Sequence, residues 1–287
     1  MYHSTQIKII ECPRDAMQGW KKFISTEKKI EYINSLLKVG FDTIDFGSFV
    51  SPKAIPQMAD TEEVVKNLQL DNATSKLLAI VANLRGAEAA SVFEQITYLG
   101  FPFSVSETFQ QRNTNSTVEE SLGRVEDIQN LCIKTGKQFV VYISMGFGNP
   151  YGDPFDEEIV FEWVNKLVGM DIGIISLADT VGVATPQQVY DMTAYLVESL
   201  PGTEIGVHLH STPQNWEEKL EAAVKAGCKR FDGALKGIGG CPMADDVLVG
   251  NMNSELMIDY FQKNDLLTGL NKEALAESLR MAGEIFI

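Results

Sequence analysis

Short runs of apolar, often β-branched residues alternate along the chain with longer stretches in which apolar residues recur at helical spacing. This alternation predicts strands separated by helices, the arrangement of a parallel sheet. Eight runs are predicted strands: QIKIIEC (6–12), DTIDFG (42–47), KLLAIVAN (76–83), FPFSVSE (101–107), QFVVYIS (138–144), IGIISLA (172–178), EIGVHLH (204–210) and RFDGAL (230–235).

The stretches between these runs predict amphipathic helices, for example STEKKIEYINSLLKVG, AEAASVFEQITYLG and TPQQVYDMTAYLVES. Several end in glycine, where a left-handed C-cap is expected just before the next strand: Gly40, Gly100, Gly136 and Gly227. The last stretch, NKEALAESLRMAGEIFI, predicts an extra C-terminal helix.

Eight strand–helix units at near-regular spacing, with no Ser/Gly/Pro-rich linker, predict an α/β fold, a single (β/α)8 TIM barrel that spans residues 1–287. A doubly wound open sheet is the alternative, but it usually has fewer strands and often carries a nucleotide-binding glycine motif. Neither GxGxxG nor a P-loop motif occurs in the sequence.

The net charge of −15 argues against nucleic-acid or anionic-membrane partners, and no apolar run approaches the length of a membrane span. The first residues show neither a signal nor a transit pattern. Four cysteines, at positions 12, 132, 228 and 241, form no CxxC pair and no disulfide-like framework. We therefore expect a cytoplasmic protein.

Polar residues interrupt the apolar runs repeatedly near the ends of the predicted strands, where the active site of a TIM barrel lies. They are Arg14 and Asp15 after the first strand, Asp45 and Ser48 at the second, Glu107 at the fourth, Asp179 at the sixth, His208 and His210 at the seventh, and Cys241 in the loop GIGGCP after the eighth. No single one is decisive, but their convergence on one rim predicts an active site there.

Two of the three histidines lie in GVHLHST (206–212), spaced i, i+2, so that in a strand both would project from the same face. Two imidazoles and one carboxylate form a common divalent-metal site with open positions for substrate. Asp15 would be within reach across the barrel end, so a metal site is predicted. The alternative is a pair of hydrogen-bonded structural histidines.

Other residues in this set also have a plainer interpretation. The PRD tripeptide could be a simple turn with a surface ion pair. Cys241 could be a small buried hydrophobe instead of a reactive thiol, and GIGG a tight turn or an anion-binding nest. Asp179 could be a helix N-cap, because Thr185 and Pro186 soon begin a helix.

Several stretches resemble the 3-hydroxy-3-methylglutaryl-CoA lyase family, which belongs with the isopropylmalate and homocitrate synthases to the metal-dependent barrel enzymes. They are PRDAMQ (13–18), SFVSPKAIPQMAD (48–60), ISLADTVGVATP (175–186), the HLH of the seventh strand, and GGCP (239–242) with the downstream GN (250–251). The second stretch is the most specific, since it separates the lyase from the synthases. The resemblance runs over almost the whole chain.

The resemblance implies a role for each matching residue. Asp15, His208, His210 and Asn251 match ligands of a magnesium or manganese ion, and Arg14 matches an arginine that neutralises the enolate oxygen. Cys241 matches a thiol on a mobile loop that closes over the substrate, and Asp179 an acidic residue of the active site. Ser48 matches a substrate contact, Lys21 a basic residue near the entrance, and Asp45 an acidic position that is usually Glu.

The implied reaction is the cleavage of 3-hydroxy-3-methylglutaryl-CoA to acetoacetate and acetyl-CoA, in leucine degradation or ketone-body formation, by a homodimer. The metal would act as Lewis acid and template. Asp15 or His208 could be the base and Cys241 the acid; the sequence leaves these roles open.

Several departures from the family pattern bear on substrate preference and rate, among them a stretch between Cys241 and Asn251 that is one residue longer than usual. Ser211 replaces an Asp, Asp45 replaces a Glu, and Ile10 stands at an acidic position while Glu11 is out of phase and faces the other way. Two alternatives therefore stay open. One is a related lyase or condensing synthase acting on another acyl-CoA, and the other is a weakly catalytic binding homologue.

Overall fold

The computed structural model describes residues 7–240 and 249–287. Its strands are β1 (Lys8–Glu11), β2 (Thr43–Ser48), β3 (Lys76–Ile80), β4 (Ile96–Ser104), β5 (Gln138–Ser144), β6 (Ile174–Ala178), β7 (Glu204–His208), β8 (His210–Ser211), β9 (Arg230–Gly233) and β10 (Gly250–Asn251). Its α-helices are α1 (Pro13–Gln18), α2 (Thr26–Leu37), α3 (Thr61–Lys66), α4 (Leu84–Ser91), α5 (Glu107–Thr114), α6 (Val118–Thr135), α7 (Glu157–Val168), α8 (Pro186–Ser199), α9 (Trp216–Lys225), α10 (Ser254–Lys263) and α11 (Lys272–Ile285).

Strands β1 to β7 and β9 form a closed parallel barrel, in which β9 pairs with β1 and completes the ring. The predicted TIM barrel is therefore confirmed. The main apolar core lies between the barrel and the helices, and a smaller apolar cluster, formed by Leu78, Tyr98, Val140, Tyr142 and Ile174, lies apart from it. The extra C-terminal helix is also confirmed: α11 packs on α2, where Ser278 Oγ lies 2.9 Å from Ser35 Oγ.

The prediction for the fourth strand was wrong at its start. Strand β4 begins at Ile96 and not at residue 101, so Gly100 lies inside a strand and does not end a helix. A Cβ on Gly100 would lie 2.7 Å from the side chain of Ile80 and 3.2 Å from the ring of Tyr142. Close packing thus explains this glycine. The other three predicted helix-ending glycines, Gly40, Gly136 and Gly227, do have positive φ.

The prediction for the seventh strand was wrong at its end. Strand β7 ends at His208, and His210 belongs to β8, which pairs antiparallel with β10 outside the barrel. The carbonyl of His208 still accepts from Asp179 N–H beside β6, whereas the carbonyl of Leu209 accepts from Met252 N–H next to β10. This register places His210 directly opposite Asn251.

The described helices include none with the length and apolarity needed to cross a membrane. The described cysteines, Cys12, Cys132 and Cys228, are all buried and unpaired. Glu11 faces away from the barrel interior, as expected: its carboxylate accepts hydrogen bonds from Ser254 Oγ at 2.5 Å and from Leu235 N at 2.9 Å. Burial raises the pKa of Glu11 to about 8.

Candidate active site

A cavity of about 760 Å³ opens at the end of the barrel where the strands terminate. Its wall includes the last residues of β3, β5, β6 and β7, which are Ile80, Ser144, Ala178 and His208. The volume is typical of a small-molecule site. Five of the residues singled out in the sequence line this cavity: Arg14, Asp15, Asp45, His208 and His210.

Helix α1 presents Arg14 and Asp15 to the cavity because it begins directly after β1, with Pro13 in its first turn. Arg14 Nε lies 3.1 Å from Asp45 Oδ2, and Arg14 Nη2 lies 2.5 Å from the same oxygen. Its third nitrogen, Nη1, donates to Asp15 Oδ1 at 3.0 Å. The guanidinium is thus held in one plane between two carboxylates.

The two carboxylates beside Arg14 have opposite pKa shifts. Burial raises the pKa of Asp45 to about 6, although the charge and hydrogen bonds of Arg14 oppose the rise. Burial also acts to raise the pKa of Asp15, but the charges of Arg14 and His208 and a hydrogen bond from Asn251 outweigh it and hold the pKa at about 2. Asp15 is therefore a carboxylate at neutral pH, the form that binds a metal ion.

Asp15, His208 and His210 form a group whose ligand atoms all lie within 4.8 Å of one another. Burial, followed by the charge of His208, lowers the pKa of His210 to about 4. A neutral imidazole is the form that coordinates a metal ion. The predicted convergence of these three residues is present, although the two histidines do not share one strand.

Asn251 joins this group from β10. Its Nδ2 donates to Asp15 Oδ2 at 2.7 Å and to the carbonyl of Ile238 at 2.9 Å. Its Oδ1 is buried and has no hydrogen-bond partner within the described part of the chain. A buried oxygen without a partner beside a carboxylate and two imidazoles fits a divalent cation, which would use it as a ligand.

Gly239 allows Asn251 to approach Asp15 so closely. A Cβ there would lie 2.5 Å from Asn251 Nδ2 and 3.0 Å from the carbonyl oxygen of Asp15, and the residue has a φ of +105°. The glycine-rich stretch before Cys241 is therefore required by the packing of the ligand residues themselves.

Asp232, on β9, is a functional candidate that the sequence analysis missed. Its Oδ2 lies 3.2 Å from His208 Nδ1, and the two residues are paired in register across β7 and β9. Burial lowers the pKa of His208, but the hydrogen bond and the charge of Asp232 outweigh it and the net shift is upward. Such a carboxylate fixes the ring and leaves Nε2 for a metal ion. The sequence feature that could have identified Asp232 is its place as a charged residue in the middle of the predicted strand RFDGAL.

Three of the residues expected at the site do not line the cavity. Asp179 is only 1% exposed and does not line the cavity; its Oδ2 accepts from Lys219 Nζ at 2.7 Å and its Oδ1 from Ala184 N. Ser48 is buried and is not among the residues that line the cavity. Lys21 is exposed in the segment between α1 and α2.

The structure also shows the contacts of three further residues that the sequence analysis named. Thr185, and not Asp179, is the N-cap of α8, since its Oγ1 accepts from Gln188 N. Glu107 is exposed and accepts from Val118 N at 3.1 Å. Ser211, the departure on β8, donates to the sulfur of Met252. Cys241 lies outside the described residues.

Comparison with known proteins gives one consistent family. The family model described as HMGL-like matches residues 6–281. The mitochondrial hydroxymethylglutaryl-CoA lyase of Bos taurus is 33% identical over 276 residues, which cover 95% of this chain and 83% of that protein. The hydroxymethylglutaryl-CoA lyase YngG of Bacillus subtilis is 32% identical over 275 residues, which cover 95% of this chain and 90% of that protein.

Solved structures agree with the sequence relatives. An HMG-CoA lyase from Acinetobacter baumannii, in complex with coenzyme A and 3-methylmalate, superposes with a TM-score of 0.92 at 30% identity and covers 100% of this chain and 93% of that one. The HMG-CoA lyase of Bacillus subtilis gives a TM-score of 0.91 at 32% identity, and the match covers 98% of this chain and 93% of that one. From the family model, the sequence relatives and the barrel architecture together, this chain belongs to the HMGL-like family.

Proposed function

We propose that this protein is a hydroxymethylglutaryl-CoA lyase that cleaves 3-hydroxy-3-methylglutaryl-CoA to acetoacetate and acetyl-CoA. The observation that carries the proposal is that Arg14 lies beside the group of Asp15, His208 and His210 in one cavity. A cation-binding group next to a fixed guanidinium suits a reaction in which negative charge develops on a thioester oxygen. The relatives from Bos taurus and Bacillus subtilis bear the name hydroxymethylglutaryl-CoA lyase, which supports the proposal.

The residues that would hold the metal ion are Asp15, His208, His210 and Asn251. The two side-chain oxygens suit Mg²⁺ or Mn²⁺, the ions that the family resemblance implies, because both ions prefer oxygen ligands. When bound, such an ion supplies Lewis acidity and a template for the oxygens of the substrate. Asp232 would keep His208 oriented as a ligand through its Nδ1.

The bond that breaks joins C2 and C3 of the acyl group. The 3-hydroxyl passes its proton to a base, a role for which Asp15 and His208 are the candidates, and becomes the ketone of acetoacetate. The electron pair of the broken bond passes to the thioester as an enolate. Arg14 would stabilise that enolate oxygen, because Asp45 and Asp15 already hold its guanidinium in place and little reorganisation is needed. Protonation at C2 then gives acetyl-CoA, and we propose that the Cys241 thiol supplies this proton.

The opposite side of the cavity suits the coenzyme A part of the substrate. Arg112 of α5 and Arg124 of α6 line the cavity, and Arg124 Nη1 is fixed by the carbonyl of Thr114 at 3.0 Å. These guanidiniums supply local positive charge for phosphate groups in a chain whose net charge is −15. Val50 and Ile55 add apolar wall for the less polar part of the ligand.

Direct assay of both products tests the proposal. The purified protein with Mg²⁺ or Mn²⁺ and 3-hydroxy-3-methylglutaryl-CoA should release acetoacetate and acetyl-CoA in equal amounts, as measured by chromatography with mass detection. The Arg14→Lys variant is the matched control, because it keeps a positive charge beside the metal group and should release both products about 10²- to 10³-fold more slowly. Turnover of a different acyl-CoA, with none of this one, would contradict the proposal.

The finer parts of the assignment are also proposals. Lys21 at the entrance, Ser48 as a substrate contact and Asp179 as an acidic residue of the active site stay predictions of the resemblance. The same holds for the homodimer and for leucine degradation or ketone-body formation as the setting. The cytoplasmic location stays a prediction of the sequence pattern.

A further inference from the structure

Lys219, on α9, is buried directly behind the candidate metal group. Its side chain is only 1% exposed, which is rare for a lysine unless its charge is paired. The ammonium group has three N–H donors and meets three acceptors: Asp179 Oδ2 at 2.7 Å, the carbonyl of His210 at 3.0 Å and the carbonyl of Gly182 at 3.2 Å. Each donor therefore has one acceptor within hydrogen-bond distance.

The three acceptors belong to separate segments of the chain. Asp179 directly follows β6, Gly182 lies in the turn before α8, and His210 lies in β8. Asp179 also holds its own turn, since its Oδ1 accepts from Ala184 N at 3.1 Å. Lys219 thus connects a closed turn after β6 to the main chain of a candidate metal ligand.

The main chain of His210 is fixed by this arrangement. Lys219 holds its carbonyl oxygen, and β8, the strand that carries it, pairs with β10. The turn that carries Asp179 is held as well, because Thr180 Oγ1, one residue further on, accepts from Met145 N at 2.8 Å. The position of the His210 side chain therefore depends on the turn that Lys219 and Asp179 secure.

Stability alone is a poor explanation for this buried ion pair. The attraction between two buried charges roughly repays their desolvation, so an apolar pair of similar volume would often stabilise a fold as well or better. Neither Lys219 nor Asp179 lines the cavity, so neither is placed to touch a substrate there. What the pair adds is fixed geometry at His210.

We propose that Lys219 is a positioning residue for His210, and that Asp179 acts through Lys219 and not on the substrate. The inference rests on the proposed metal site, because it assigns a support to one of that site's ligands. Residues behind metal ligands set the orientation of those ligands, and their loss typically weakens metal binding about 10- to 100-fold.

The chain offers a matched control in a second buried lysine. Lys29, on α2, is 2% exposed, and its Nζ donates to Asp60 Oδ1 at 2.7 Å and to the carbonyl of Gln57. The pair has the same chemistry and an equally buried lysine, although the Asp60 side chain is 14% exposed against 0% for that of Asp179. Its acceptors lie outside the segments that carry the candidate ligands. Lys29→Met should therefore cost stability and leave metal affinity near the wild-type value.

The decisive experiment is a titration with Mn²⁺ alone, monitored by electron paramagnetic resonance, on the wild type, Lys219→Met and Lys29→Met. We expect the Kd for Mn²⁺ to rise about 10- to 100-fold in Lys219→Met only. An unchanged Kd in folded Lys219→Met, or an equal rise in Lys29→Met, would overturn the positioning role. Absence of Mn²⁺ binding by the wild type would instead overturn the metal site itself.

A double variant keeps the test informative if Lys219→Met does not fold. The single change leaves the charge of Asp179 buried without a partner, which is strongly destabilising, whereas Asp179→Asn with Lys219→Met removes both charges. The double variant should fold, as judged by circular dichroism. It should still bind Mn²⁺ about 10- to 100-fold more weakly, because the carbonyl of His210 has lost its donor. Wild-type affinity in this variant would overturn the proposal.

Discussion

Arg14 holds the carboxylate of Asp45 through two nitrogens, with Nε 3.1 Å and Nη2 2.5 Å from Asp45 Oδ2. Its remaining nitrogen, Nη1, lies 3.0 Å from Oδ1 of Asp15, a candidate metal ligand. One guanidinium therefore joins the cation-binding group to the part of the cavity where charge develops in the proposed reaction. A planar fork with several fixed donors can do this, whereas a single ammonium cannot.

Arg14→Lys should lower kcat about 10²- to 10³-fold with little change in KM, because it removes an interaction made mainly in the transition state. The variant keeps a positive charge beside Asp45, so the fold should persist. Steady-state kinetics with the CoA ester measures both constants. A normal kcat with a raised KM would place Arg14 in substrate binding instead.

Asp232→Ala should weaken Mn²⁺ binding about 10- to 100-fold by releasing the ring of His208. Asp232→Asn keeps an oxygen that can accept from Nδ1–H, so it should weaken binding less. Calorimetric titration of the metal-free protein gives the Kd of each folded variant. Equal affinities for Asp232→Ala and the wild type would show that His208 does not need the hydrogen bond at Nδ1.

Glu11→Gln should remove a pH dependence of stability. The pKa of Glu11 is about 8 in the folded protein against an ordinary value of 4.5, so between these values the folded protein keeps a proton that the unfolded chain loses. The stabilisation is full below pH 4.5 and disappears as the pH rises through 8. Glutamine can accept from Leu235 N and donate to Ser254 Oγ at every pH.

Urea unfolding at several pH values tests this effect. Relative to Glu11→Gln, the wild type should lose about 1.4 kcal/mol of unfolding free energy for each pH unit between about pH 5 and pH 8. Exposed Glu88→Gln is the control and should follow the wild type. Parallel curves for Glu11→Gln and the wild type would show that Glu11 is not protonated in the folded state.

Local patterns in the sequence predict most of the barrel and the central residues of the site. Strand β5 matches its predicted run at both ends, and Arg14, Asp15 and the two histidines meet as expected. The relation of Asp232 to His208 is not local, because it depends on how β9 pairs with β7 when the barrel closes. The burial of Asp179 is not a local feature either, because its partner Lys219 lies 40 residues further along the chain. A local pattern could not predict it.

Cys241 should be the thiol that alkylating reagents modify first. Burial raises the pKa of Cys132 and Cys228 to about 12 and shifts that of Cys12 upward, so these three thiols should react slowly. Peptide mapping after brief iodoacetamide treatment locates the modified residue. Substrate or a product analogue should protect it, and Cys241→Ser should abolish fast labelling and most of the turnover. An equal alkylation rate with and without ligand, together with near-normal turnover of the serine variant, would indicate a packing cysteine.

The most direct test of a metal-dependent lyase at this site is a titration that follows metal binding and turnover together. Metal-free protein, prepared with a chelator, receives Mn²⁺ in steps while bound ion and acetoacetate release are both measured. We expect no turnover without metal and a rate that rises in proportion to bound Mn²⁺ up to one ion per chain, with both signals lost in His208→Ala. Full turnover in excess chelator would contradict the proposed function.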